Sequence, residues 1–159
     1  MSLIRIDSGK PPNLGTWFNN TPGWPPSSTV ATGNLLYASQ VFIPAPATIT
    51  GIQWQVAATN TGNVRSALYD AAGTRVANRT TDFDVTGAST YTNVKVAFDA
   101  TLGVTPGVYF VALIFSTTAT FYGGMTSGPT VQAAQGGFTT PSTISVPTTA
   151  AQAPIMGTY

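Results

Sequence analysis

Asp82 and Asp84 form the only close acid pair in the chain. On a strand they would share one face about 6 to 7 Å apart, twice the rise per residue. That separation is near the spacing a carboxylate pair uses in glycoside hydrolysis. Nothing around them predicts one raised and one lowered acid, so a solvated loop is the plainer reading. A weak calcium site built from Asp82, Asp84 and loop carbonyls is the second, because hard cations take oxygen ligands.

The other routes to chemistry close quickly. The chain has no His, no Cys and no Glu. A nucleophilic Ser or Thr has no imidazole to activate it. A Ser–Lys dyad would need Lys10, in a terminal segment, or Lys95, on the solvent face of a strand. Zinc lacks both of its favoured ligands. No Gly-rich loop opens a helix to hold phosphates. The residues predict no enzyme, no cofactor and no catalytic site.

The stretch "RSALYDAAGTRVA" (65 to 77) holds the remaining suggestive acid, Asp70. In "YDAAGTRV" Asp70 stands where Asp opens a type I turn, and Gly73 where a positive φ is needed. The expectation is a hairpin and not a catalytic acid.

The elements that carry these residues read as strands. Thr occurs 27 times, and charged residues make up 7% of the chain, against about 25% in ordinary soluble domains. Thr is stiffened at χ1 by its β-branch and favours strands. "TITGIQWQVA" (48 to 57) sets Ile52, Trp54 and Val56 on one face and Gln53 and Gln55 on the other. "TNVKVAFD" (92 to 99) sets Val94, Val96 and Phe98 inward and Lys95 outward. Both have the period of two of half-buried strands. "VYFVALIFS" (108 to 116) is apolar on both faces, as in a central strand covered twice. "LLYASQVFI" (35 to 43), "VRSALYD" (64 to 70), "TRVAN" (74 to 78) and "ATFYGG" (119 to 124) complete the series. "TDFDVTGAS" (81 to 89) is a loop or short edge strand. "TLGVTPG" (101 to 107), with Pro106 and Gly107, reads as a turn. The fold class is all-β: an antiparallel β-sandwich of jelly-roll type over residues 35 to 124.

Both flanks differ. Residues 1 to 34 and 125 to 159 are rich in Pro, Gly, Thr and Asn, and they predict extended irregular arms. The first carries Trp17, Phe18 and Trp24. The second carries Phe138, Ile144, Val146 and Ile155. Trp54 belongs to the core pattern, whereas these seven are candidate assembly anchors. A flexible-tail reading of residues 125 to 159 stays open on their low complexity. If they are ordered, fixing 35 backbones costs on the order of 35 to 70 kcal/mol. They must then lie on their own sandwich, on sister chains or on another protein.

Charge is confined to the middle. No charged residue occurs from 11 to 64 or from 100 to 159, and eight of the eleven fall between Arg65 and Asp99. Net charge is +1, too small for a phosphate-binding footprint, so no nucleic acid is expected as partner. The first ten residues lack an apolar core and carry Asp7, so they do not read as a secretory signal. The longest apolar run, 108 to 115, is too short to span a bilayer as a helix. These features predict a cytoplasmic protein without a membrane partner. Long charge-free stretches are unusual on free surfaces and common in permanent interfaces. Two readings follow. One is a structural building block whose arms embrace copies of itself or a larger lattice. The other is a module that grips a glycan through aromatic and Asn or Gln side chains.

"ITGIQWQV", "ALYDAAGTRVA" and "TPGVYFVALIF" together resemble the β-sandwich modules of virion proteins of tailed bacteriophages, over roughly residues 35 to 122. In that family a Trp-bearing strand, an "LYD–G–VA" hairpin and a "PG-x-Y" strand entry recur in order. The resemblance implies a virion role as head decoration, head fibre or tail appendage. It also implies assembly in the host cytoplasm, often as a trimer on the major capsid or another virion protein. Similar sandwiches occur in carbohydrate-binding modules, which keeps a host-surface glycan open as a partner.

Overall fold

A computed structural model describes residues 17–18, 27–88, 93–124, 130–134, 136–145, 153–154 and 156–159. Thirteen strands run in chain order: β1 (Trp17–Phe18), β2 (Ser27–Ala31), β3 (Leu35–Ile43), β4 (Ala47–Gln55), β5 (Asn63–Asp70), β6 (Arg75–Asn78), β7 (Phe83–Asp84), β8 (Asn93–Val104), β9 (Gly107–Phe115), β10 (Ala119–Gly124), β11 (Thr130–Ala134), β12 (Ala153–Pro154) and β13 (Met156–Thr158). Every pairing between them is antiparallel. The described residues contain no helix, and so none that could cross a membrane.

The larger sheet has the order β11-β3-β9-β5-β6, with β7 also paired to β5. The smaller has the order β1-β13-β4-β8, and a third, β12-β10-β2, joins it where Val56 bridges Phe121. The chain is an all-β antiparallel sandwich. Its core lies between the sheets. Ile52, Trp54 and Val56 of the smaller sheet meet Val64, Leu68, Val111 and Leu113 of the larger. Trp54 is 1% exposed and packs edge-on to Phe115, with ring centroids 5.9 Å apart. Phe115 in turn stacks on Phe121 at 6.4 Å. Such aromatic pairs add about 0.5–1.5 kcal/mol beyond their buried area.

Period-two alternation explains the inner face, and β9 explains a second one. Phe110 through Phe115 are all buried, so both faces of β9 are covered. Val111, Leu113 and Phe115 face the inter-sheet core. Phe110, Ala112 and Ile114 join Leu36, Ala38, Ala67 and Tyr69 in a separate cluster on the outer face of the larger sheet. Residues from the C-terminal arm, Phe138 and Ile144, cover that cluster.

Two local features depart from the sequence reading. Residues 101–104, expected in a turn, continue β8. Its pairing with β4 jumps from Gly51↔Ala97 to Ile49↔Leu102, a bulge that lets the strand resume and bury Val104. The reversal is left to Thr105 and Pro106, and the Tyr109 hydroxyl donates to the Thr105 carbonyl at 3.0 Å. Gly107 then opens β9. The second departure concerns the arms. Their described pieces are extended, as expected, but they pair with the sandwich. β2 lies on β10, β11 on β3, β13 on β4 and β1 on β13. Met156 is fully buried in the inter-sheet core. Short strands of Thr, Ala and Gly give no hydrophobic alternation, because backbone hydrogen bonds make most of their contact.

Gly51 marks a close approach. Tyr159 folds over it: Thr50 N–H donates to the Tyr159 carbonyl at 2.7 Å, and Tyr159 N–H to the Gly51 carbonyl at 3.2 Å. A methyl group added at Gly51 would meet the Ala97 Cα at 2.7 Å and the Val96 carbonyl oxygen. Only glycine lets the backbones come this close.

Candidate functional site

The charged hairpin and the C-terminal arm form one structure. Asp70 closes the β5–β6 turn with its carboxylate, accepting from Ala72 N–H at 3.0 Å and Thr74 N–H at 2.8 Å. Gly73 takes φ 85° and donates to the Asp70 carbonyl at 3.0 Å. Asp70 therefore spends its lone pairs on its own backbone, the Asx-type use that makes Asp a turn residue.

Arg65, Tyr69 and Arg75 do something the sequence reading did not assign. They hold residues 138–144 across the outer face. Arg65 donates to the Phe138 carbonyl at 2.9 Å, and its guanidinium lies 4.8 Å from the Phe138 ring centroid. The Tyr69 hydroxyl donates to the Pro141 carbonyl at 2.9 Å. The Arg75 guanidinium donates to the Thr140 carbonyl, and to the Thr140 hydroxyl at 3.2 Å. Backbone bonds finish the strap: Arg75 N–H to the Ser142 carbonyl and Ile144 N–H to the Gly73 carbonyl, each at 2.8 Å. β6 meets the Ser142 carbonyl through its backbone, whereas the Phe138 and Thr140 carbonyls take their donors from the Arg forks. Arg65 and Tyr69 share a face of β5, two strand repeats apart, opposite the inward Val64 and Leu68. That period-two pairing of an Arg and a Tyr on a second face was the available sequence signal.

Burial drives the Tyr69 hydroxyl well above its usual pKa, while the nearby Arg75 charge pulls it partly back. The group stays a neutral donor through the whole physiological range.

The acid pair is split between different partners. Asp82 lies outside β7 and pairs with Arg65, Nη2 to Oδ1 at 2.7 Å. The pair is exposed, so it contributes at most about 1 kcal/mol. Asp84 accepts from Thr86 N–H at 2.8 Å, and hydrogen bonds from Thr86 hold its carboxyl below the usual range. Asp99 is held low in the same way by the Thr80 hydroxyl at 2.7 Å and the Thr80 amide at 2.9 Å. Neither Asp84 nor Asp99 is raised toward a general-acid role. Among the described residues no three acids come together as a metal site. Lys95 projects to solvent over the Tyr159 ring at 4.8 Å.

The candidate anchors divide three ways. Phe138 and Ile144 pack against their own chain, where Ile144 is 7% exposed, so they are engaged within the fold. Trp17 and Phe18 form β1, whose backbone pairs with Thr158 and Gly157. Trp24, Val146 and Ile155 lie outside the described residues. Trp54 is a core residue, as its place in the period-two pattern predicts.

One buried polar side chain outside the strap holds the sandwich end. Asn60, 2% exposed, accepts from Thr120 N–H at 2.7 Å and donates to the Thr120 carbonyl at 3.2 Å. Its carboxamide mimics a strand residue beside β10.

All eight charges from Arg65 to Asp99 fall on β5, β6, β7 and β8 or the turns between them. These strands lie together along one side of the sandwich. The strands of the opposite side, β11 and β3 in one sheet and β1 and β13 in the other, carry none.

The chain matches no protein-family model, and comparison with curated proteins finds no match.

Proposed function

We propose that the chain is a non-enzymatic structural protein of a bacteriophage virion. It decorates or stabilises the capsid surface through its terminal arms and through self-association. The observation that carries this reading is that the charges among the described residues all lie along one side of the sandwich. A protein dispersed as a monomer gains solubility from charge spread over its whole surface. A subunit fixed in a lattice needs charge only where it meets solvent, and neutral surface where it meets protein. Arg65, Asp70, Arg75 and Asp82 are engaged in a turn, an ion pair and the strap, which supports a structural role for them.

The test is the composition of purified particles. Virions from cells expressing this chain should contain it in many copies, as read by quantitative mass spectrometry after density-gradient purification. Its absence from purified particles would overturn the reading.

A further inference from the structure

The strap is fastened differently at its two ends. The Thr140–Ile144 end has backbone bonds to the hairpin, Arg75 N–H to the Ser142 carbonyl and Ile144 N–H to the Gly73 carbonyl. The Phe138 end has none. Among the described residues, the only hydrogen bond from the sandwich to residues 136–139 is the one that Arg65 Nη1 donates to the Phe138 carbonyl at 2.9 Å. That end therefore depends on where one Arg fork points.

Arg65 does not set its direction alone. A long side chain at the surface has many rotamers of similar energy. Asp82 removes that freedom. Its Oδ1 accepts from Arg65 Nε at 2.9 Å and from Nη2 at 2.7 Å, so it occupies one whole edge of the guanidinium. The group is planar and its donors are fixed in the fork. With the Nε–Nη2 edge on Asp82, Nη1 is left for the Phe138 carbonyl, and the guanidinium carbon lies 4.8 Å from the Phe138 ring centroid. The Asp82 backbone is placed without its carboxylate. β7 follows directly, pairing Val64 with Phe83 and Asn63 with Asp84, and the Asp82 carbonyl accepts from Arg79 Nη2 at 3.5 Å.

The geometry points to Asp82 as a positioning residue for the C-terminal arm: its carboxylate aims Arg65 at the Phe138 carbonyl, so that a charge on the β6–β7 loop latches one end of the strap. Removing that charge releases Arg65 and lets Phe138 lift from the outer apolar cluster, while the Ile144 end stays down. The latch goes beyond the virion reading and does not depend on it.

Chymotrypsin cleaves after Phe, and the carbonyl it must attack at Phe138 is the one Arg65 holds. Cleavage of the folded chain there follows the fraction of time that end is open. The rate of cutting between Phe138 and Thr139, read by mass spectrometry, should rise about two- to fivefold in Asp82→Asn, the range for loss of one exposed ion pair. In an Arg65→Gln background the same substitution should change nothing. The Ile144 N–H should exchange at the wild-type rate in Asp82→Asn. Arg65 and Asp82 are 25% and 47% exposed, so neither substitution opens the core, and melting curves would establish that each variant folds. An unchanged cutting rate in Asp82→Asn would overturn the latch. An equal rise in both backgrounds, or an Ile144 amide accelerated as much as the cut, would overturn it too, because Asp82 would then act on the fold and not through Arg65.

Discussion

The Tyr69 hydroxyl, on a fully buried ring of β5, donates to the carbonyl of Pro141 at 2.9 Å. The two residues are 72 positions apart, and their bond joins the charged middle of the chain to its uncharged C-terminal arm. Around it Arg65 and Arg75 grip Phe138 and Thr140. The hairpin thus fastens the arm over an apolar face that would otherwise be open.

That bond sets an alkaline limit. The folded state holds the Tyr69 proton more tightly than the unfolded chain, whose tyrosines titrate near 10. A raised folded value means the contribution is whole below about pH 10 and is lost as pH rises above it. Urea unfolding should therefore give a steady midpoint up to about pH 10 and a falling one beyond. Tyr69→Phe, which has no proton to lose, should flatten that fall. An equally steep fall in the variant would contradict the assignment. Burial also raises Tyr159, which leaves a smaller residual slope.

Arg75→Ala should loosen the strap without unfolding the sandwich. It removes charge-assisted bonds to Thr140, and because Arg75 is half-buried the expected loss is about 1–2 kcal/mol. Amide exchange reads it locally. The Ile144 N–H, bonded to the Gly73 carbonyl, should exchange about tenfold faster or more, while the Leu113 amide in β9 stays protected.

Asn60→Ala should cost about 1–3 kcal/mol in chemical denaturation, because two bonds to Thr120 are lost and the Thr120 N–H is left without its partner, while the Thr120 carbonyl keeps the Ala57 N–H. A loss under 0.5 kcal/mol would mean that water replaces the carboxamide.

Met156→Ala should cost about 2–4 kcal/mol, in the range for opening a cavity at a fully buried position. Deleting residues 136–159 should do more, since it uncovers the outer cluster and removes Met156 from the core. The shortened chain should bind a hydrophobic dye and lose its cooperative melt. A sharp melt near the wild-type temperature would contradict the placement of the arm.

The sandwich was legible because period two is a direct consequence of the pleat. Ile52, Trp54 and Val56, and then Val94, Val96 and Phe98, declare their inward face. The continuous run in β9 announced a second cover, and the Asp70–Gly73 turn follows from local chemistry alone. What covers β9 was not legible. Phe138 and Ile144 among Thr and Pro say that an apolar surface awaits them, but not whether it belongs to the same chain. Arg65 and Arg75 reach carbonyls more than 60 residues away, and an Arg-to-carbonyl bond leaves no pattern in sequence. β8 ran past its expected end because a bulge absorbs residues that read as a turn. The split of Asp82 and Asp84 between Arg65 and Thr86 depends on where β7 begins, and two strand residues carry too little signal to fix that.

The proposed virion role requires this chain to stand beside copies of itself. The most direct test is its mass in solution by light scattering, over a hundredfold range of concentration. The expected result is a stable assembly at an integral multiple of the 16.4 kDa chain. A mass of one chain at every concentration would contradict it.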